Sequence, residues 1–289
     1  MQNIELNEVL KTAILAALSA AKVVTPYFGN PETLNIKEKS DRSQVTETDL
    51  ASGRTIHEVI QSRFPDHGIM SEEGEEINPS QYRYLWVTDE IDGTTNFASG
   101  NPYFAISIGF AIDEEPVLGA IALPRIIGYR KDGIPRLAWD IVSGGKKIGA
   151  YYNRRRLSLG RRKSTVSEAL VHTDFPYKSE VGPSEWARNV FVDLQKEARV
   201  VHVSGSAVRE LVDVMLGQYD GCVHVLNKPW DVAATCPMLR ELGFDVTNWR
   251  GELWRLMNKS AIVDYGDIHS NLLKIVGRNA PESLRQNYV

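Results

Sequence analysis

The stretch Trp86, Val87, Thr88, Asp89, Glu90, Ile91, Asp92, Gly93, Thr94, Thr95, Asn96, Phe97 constrains the fold more than any other part of the chain. It continues an aromatic and β-branched run, Tyr84 to Thr88, which predicts a strand. Asp89 and Asp92 at the end of a buried strand would be costly to keep there as free anions. A cation removes that cost. A few hard oxygen ligands, with room left for water and a phosphate, suit Mg²⁺ better than zinc, and no His or Cys pair competes for the assignment. Gly93 lets the backbone come close to a ligand, and a helix starting at Thr94 or Thr95 would point free amides at an anion such as phosphate. An Asx-rich turn that merely caps a helix uses the same residue types, so this stretch alone leaves both readings open.

Three further carboxylate clusters bear on the choice. Ser71, Glu72, Glu73, Gly74, Glu75, Glu76 follows the apolar Ile69 and Met70, so a Glu could emerge from a strand end into a shared site, although a Glu run is usually a solvated loop. Val45, Thr46, Glu47, Thr48, Asp49 reads equally as a helix start whose acids complement the dipole. Asp231, after Trp230, is well placed as an N-cap for a helix over Val232 to Leu242.

Around these clusters the pattern predicts helices at Asn7 to Phe28 and Glu47 to Phe64, the second capped near Thr46 or Thr48 and ended before Pro65. Tyr103 to Ile112 and Pro116 to Leu123 read as adjacent strands joined by the turn Asp113, Glu114, Glu115. The first half is therefore a helix pair over an antiparallel sheet. Beyond Gly149, apolar runs at Ala169 to His172, Val200 to Val203 and Cys222 to Val225 alternate with helices at Pro183 to Glu197, Ser206 to Leu216 and Val232 to Leu242. That alternation predicts a second α/β layer, with residues 1–148 carrying the metal-binding motifs and 149–289 completing the site.

Composition excludes several alternatives. The 289 residues carry 33 Lys and Arg against 37 Asp and Glu, so no strong positive field exists to hold nucleic acid, and no polybasic tract marks a membrane surface. The local cluster Arg154, Arg155, Arg156, Arg161, Arg162, Lys163 is the exception, and it is expected on a solvated surface. Cys222 and Cys236 are too few for a disulfide framework and read as buried, reduced thiols of a cytoplasmic protein. Thr12 to Ala21 is too short to span a bilayer and lacks a basic flank, so an amphipathic helix accounts for it better.

Taken in order, these motifs resemble the inositol monophosphatase family of metal-dependent, lithium-sensitive phosphatases, and the resemblance covers almost the whole chain. Lys39 to Asp49 resembles the family's Lys...Val-Thr-x-x-Asp segment, Glu72 and Glu73 its Glu-Glu pair, Asp89 to Phe97 its Asp-Pro-Ile-Asp-Gly-Thr-Thr-Asn-Phe signature and Trp230 to Ala234 its Trp-Asp-x-Ala-Ala signature. Gly205, Ser206 and Ala207, with Asp220 and Gly221, resemble a further family segment. The resemblance implies an α/β (α+β) fold of alternating helix and sheet layers, an αβαβα sandwich. It implies two or three Mg²⁺ ions held by Glu72, Asp89, Asp92, Asp231 and the carbonyl of Ile91. Asp49 and Thr94 would orient and deprotonate the attacking water, with Glu72 and Lys39 beside it. Gly93, Thr94, Thr95, Gly205, Ser206, Ala207, His224 and Asp231 would meet the substrate, a small phosphorylated polyol or sugar. A homodimer is implied, with no nucleic-acid or membrane partner.

This sequence departs from the family's pattern at several places. Glu90 stands where the signature has Pro, and it is expected to point to solvent, since an inward carboxylate would repel the phosphate. His224, seven residues before Asp231, stands where inositol-selective relatives tend to carry a carboxylate for polyol hydroxyls, so it could favour an anionic or differently shaped leaving group, with Lys228 reinforcing it, although a His at a strand end is more often structural. Arg154 replaces a common Gly, and Gly243 with Phe244 keeps half of a usual double glycine. Trp249, Trp254, Leu256 and Met257 are expected in the core, with a dimer surface as the alternative. The expected activity is Mg²⁺-dependent hydrolysis of inositol monophosphate, with histidinol phosphate or a fructose bisphosphate as the alternatives. A catalytically impaired, phosphate-binding regulatory protein is the alternative of another class.

Overall fold

The computed structural model describes residues 5–30, 36–38, 44–159, 165–174 and 183–281. Its helices are α1 Leu6–Val24, α2 Glu47–Gln61, α3 Thr94–Ala98, α4 Pro183–Glu197, α5 Ala207–Met215, α6 Pro229–Val232, α7 Cys236–Glu241 and α8 His269–Asn279. A small antiparallel pair, β1 Ile36–Glu38 and β2 Gln44–Thr46, precedes α2. The strands β3 Gly68–Ser71, β4 Tyr84–Asp92, β5 Ala105–Ile112, β6 Glu115–Tyr129, β7 Pro135–Gly145, β8 Gly149–Tyr152 and β9 Arg155–Arg156 form one sheet in chain order. A second sheet of β10 Leu170–Thr173, β11 Val200–His202, β12 Gly221–His224, β13 Asp245–Thr247 and β14 Ala261–Asp264 runs in the order β11-β10-β12-β14-β13.

Side chains on a strand alternate between faces, and β4 uses both. Leu85 and Val87 join a core with Leu211, Val212, Met238 and Leu239 of α5 and α7, while Trp86 points the other way into a core with Ala13, Ala17 and Ile56 of α1 and α2. A third core joins β10 and β12 to Trp186, Val190, Leu272 and Ile275 of α4 and α8. The layers therefore run α1 and α2, seven-stranded sheet, α5 to α7, five-stranded sheet, α4 and α8. This is the αβαβα sandwich expected from the sequence.

Local chemistry explains the elements. Val9, Ala13, Ala16, Ala17, Ala20 and Val24 recur at helical spacing along α1, and all are fully buried. With its following turn, α1 is long and apolar enough by composition to cross a membrane, but this stripe packs against the sheet. Thr46 caps α2, its hydroxyl accepting from the amides of Thr48 and Asp49 while the Asp49 carboxylate accepts from the Thr46 amide.

Four readings change. β3 pairs with β4 in parallel, so the first sheet is mixed rather than wholly antiparallel. It continues past residue 148, because β8 pairs with β7 and β9 with β8, so the division placed near Gly149 falls inside a sheet. The helix expected over Val232 to Leu242 is split into α6 and α7, with Pro237 in the first turn of α7, where its missing N–H costs nothing. Met257, expected in the core, is 47% exposed, whereas Trp254 and Leu256 are buried.

The α6–α7 junction is seated by two glycines. Gly109 of β5 and Gly119 of β6 face each other across the ladder. A Cβ on Gly119 would lie 2.2 Å from the Ala234 carbonyl oxygen, and one on Gly109 would lie 3.0 Å from the Ala233 backbone. Only bare backbone admits this approach, which fixes α6, and with it Asp231, over the end of β4.

Candidate active site

The end of β4 delivers Asp89, Glu90, Ile91 and Asp92, all buried, to the layer boundary where α2, α5 and α6 converge. One carboxylate oxygen from each of Asp89, Asp92 and Asp231 lies within 4.8 Å of the others. Asp89 Oδ1 is buried without a hydrogen-bond partner. Burial, then the charges of Glu72 and Asp92, pushes the Asp89 carboxyl well above its usual range. Burial raises Asp92 to about 7 against its bond from Ser206, and raises Asp231 to about 8 against its bond from the Lys228 amide. Two buried carboxylates and a half-buried third, with mutually repelling charges and one orphaned oxygen, fit a hard, oxygen-seeking dication, which would relieve both costs. Glu72 is half-buried, and its charge raises the proton affinity of Asp49, Asp89, Asp92 and Asp231, so it borders the same cluster.

Asp92 is held by the start of α5. The Ser206 hydroxyl donates to its Oδ2, the Ala207 amide to its Oδ1 at 3.0 Å and the Val208 amide to its Oδ2 at 3.0 Å. Ser206 and Ala207, expected at the substrate, are held against Asp92. Gly93 adopts φ 92°, and a Cβ there would meet Ser206 Cβ at 3.0 Å and the Gly205 carbonyl oxygen at 3.2 Å. Gly205 itself has φ 78°. Asn96 closes this corner by donating to the carbonyls of Tyr103 at 2.8 Å and Ser204 at 2.9 Å.

On the other side, the Thr94 hydroxyl lies 2.9 Å from Asp49 Oδ1 and 3.1 Å from the Ile91 carbonyl oxygen. Asp49 Oδ2 accepts from the Thr46 amide at 2.8 Å and the Thr46 hydroxyl at 2.5 Å. Burial nevertheless raises the Asp49 carboxyl above its ordinary value. Thr95 is exposed. Lys39 lies outside the described residues.

Two departures take positions inside the fold. Glu90 does not point to solvent: it is 1% exposed, its Oε1 accepting from the hydroxyls of Ser71 at 2.8 Å and Thr88 at 3.0 Å. These donors offset part of the desolvation cost, and burial still raises the carboxyl to about 7. His224 has no exposed surface, and its Nε2 lies 2.8 Å from Glu210 Oε2 and 3.0 Å from Cys222 Sγ. Glu210, which sequence reading missed, also accepts from the Ser204 amide at 2.8 Å and the Ser204 hydroxyl at 2.6 Å. Its signal was present: Val208, Leu211 and Val212 surround it on α5, so a carboxylate there is buried and needs partners.

The model of the inositol monophosphatase family matches residues 5–280. The fructose-1,6-bisphosphatase/inositol-1-monophosphatase of Aquifex aeolicus is 35% identical over 239 residues, covering 82% of this chain and 84% of that one. The Nus factor SuhB of Pseudomonas aeruginosa is 29% identical over 280 residues, covering 96% and 98%. The structure of inositol monophosphatase from Anabaena (Nostoc) sp. PCC 7120 superposes with a TM-score of 0.78 at 30% identity, covering 96% of this chain and 98% of that one.

Proposed function

We propose, from the premise that this chain belongs to the inositol monophosphatase family of phosphatases, that it hydrolyses a small phosphate monoester with Mg²⁺ as cofactor. The convergence of Asp89, Asp92 and Asp231, with Asp89 Oδ1 left without a hydrogen-bond partner, carries this reading, with Glu72 and the Ile91 carbonyl as the remaining candidate ligands. When bound, Mg²⁺ supplies charge neutralisation for the phosphate and lowers the pKa of water.

The protein's own groups supply the rest. Asp49 is a pure acceptor when ionised, and its Oδ2 is already satisfied by Thr46. The Thr94 proton directed at Asp49 Oδ1 leaves the Thr94 oxygen lone pairs free to accept from a water, so the pair can orient the nucleophile and take its proton. Gly93 admits the close approach of Ser206 and Gly205 that seats this turn beside Asp92. No side-chain nucleophile is needed, in keeping with the absence of a catalytic Cys or a Ser/His/Asp set from the sequence reading.

Inositol monophosphate is the leading substrate. A fructose bisphosphate is next, supported by the double name of the Aquifex relative, and histidinol phosphate follows. The reading includes a cytoplasmic homodimer. The test is phosphate release by purified protein from these three esters, with Mg²⁺ and after chelation. Metal-dependent release from one ester upholds the proposal. Metal binding without release from any would favour a phosphate-binding regulator, a reading kept by the likeness to a Nus factor.

A further inference from the structure

Glu90 sits in a closed cage built from three segments. Ser71 at the end of β3 and Thr88 on β4 both donate to Oε1, and the Glu73 amide reaches Oε2 at 3.4 Å. The Ser52 hydroxyl of α2 donates to the Glu90 carbonyl at 3.1 Å, and a Cβ on Gly53 would lie 3.1 Å from Glu90 Cγ. The residues it grips, Ser71 and Glu73, flank Glu72, whose own amide donates to the Thr88 carbonyl at 3.2 Å. Both carboxylate oxygens are thereby engaged on the side of the Glu72 turn, and Glu90 is only 1% exposed. A proline there would fix φ but offer no acceptor to this turn.

We infer that Glu90 is a positioning residue: its carboxylate ties the Ser71–Glu73 turn to β4 and so presents Glu72 to the carboxylate cluster that receives the metal. This rests on the proposed reading of Glu72, Asp89, Asp92 and Asp231 as metal ligands. Groups that orient ligands are worth about 10- to 100-fold in metal affinity when removed.

The experiment is Mn²⁺ titration of the metal-free full-length protein, followed by electron paramagnetic resonance, with amide hydrogen exchange over residues 70–75 and a thermal melt of each variant. Glu90→Ala is expected to weaken Mn²⁺ binding by about 10-fold or more and to speed exchange in the turn. Glu90→Gln should restore most of the affinity, because its amide oxygen can accept from Glu73 while its NH₂ donates to the Ser71 and Thr88 hydroxyls. Wild-type affinity in Glu90→Ala, or faster exchange with unchanged affinity, overturns the inference. If Glu90→Ala does not fold, Ser71→Ala decides in the same way, with a smaller loss of affinity expected and no loss overturning it. Asp92→Asn separates the two levels. Full Mn²⁺ binding in Asp92→Asn sinks the metal-site reading and this inference with it. Loss there beside undiminished binding in Glu90→Ala sinks the inference alone.

Discussion

Asp49 and Thr94, forty-five residues apart in sequence, meet at 2.9 Å between the first turn of α2 and the first residue of α3. Because Thr46 saturates the other Asp49 oxygen, the only freedom left to the pair is the Thr94 hydroxyl rotor, which chooses between Asp49 and the Ile91 carbonyl. Thr94→Ala should therefore lower kcat by about 10²- to 10⁴-fold, the usual worth of a general base. Thr94→Ser keeps the hydroxyl and should stay within about tenfold of wild type. Phosphate release at saturating Mg²⁺ measures both, and a fully active Thr94→Ala would remove the pair from the chemistry.

Asp92 both joins the carboxylate cluster and receives the start of α5, and Asp92→Asn separates these roles. The amide oxygen can still accept from Ala207 or Val208, so the helix start survives, while the charge needed for a cation is gone. Turnover should fall by orders of magnitude. Burial raises the Asp92 carboxyl to about 7, above its unfolded value. A raised carboxyl means that the folded state holds more protons than the unfolded state between about pH 4 and pH 7, so metal-free stability falls as pH rises through that window. Asp92→Asn lacks this contribution and should show a shallower slope, the remainder coming from the raised carboxyls of Asp89, Asp231 and Glu90. Urea melts of metal-free protein at pH 5 and pH 8 check it; equal slopes for both proteins would contradict the assignment.

His224 is entirely buried against Glu210, so a substitution there should be felt as stability before specificity. Burial lowers its proton affinity, but Cys222 and the 2.8 Å bond to Glu210 outweigh this and hold the imidazole well above its ordinary value. His224→Glu would place a second carboxylate against Glu210 with no access to water. It should cost about 3 to 5 kcal/mol, the range for breaking a buried pair. Denaturant unfolding measures the loss. A variant as stable as wild type that turns toward neutral polyol phosphates would instead put His224 at the substrate.

The carboxylate motifs were legible because each is local: a strand run, a turn glycine and a cap announce where Asp89, Asp92, Asp49 and Asp231 stand on their elements. Partners distant in sequence were not. Whether Glu90 points inward depends on Ser71 and on the absence of a side chain at Gly53, which only the packing of α2 on β4 brings together. The Glu210–His224 bond likewise needs α5 to lie on β12. The helix break at Pro237 was readable from the residue alone, but the apolar periodicity of Val232 to Leu242 outweighed it. Strands β7 to β9 were missed because much of their surface is only half-buried, and their side chains, Arg136, Trp139, Asp140 and Tyr151 among them, do not alternate cleanly.

Away from the site, α4 and α8 are clamped through Asp193. Its Oδ2 accepts from Asn279 Nδ2 at 2.8 Å and Arg278 Nε at 2.9 Å, and its Oδ1 accepts from Lys196 Nζ at 3.0 Å. The bonds from Asn279 and Lys196, with Arg278 beside them, hold the carboxyl down at about 2. A depressed carboxylate stabilises the fold above its unfolded pKa, near 4, and that contribution is lost as pH falls toward the folded value. Asp193→Asn should therefore be less stable than wild type by up to about 1 kcal/mol at pH 7, as befits a pair near the surface. The gap should close between about pH 4 and pH 2, and 1 M salt should shrink the part owed to Arg278 and Lys196. Urea melts of both proteins at pH 7, 4 and 3 follow it. A gap that stays constant down to pH 3 would mean that Asp193 acts by packing and not by its charge.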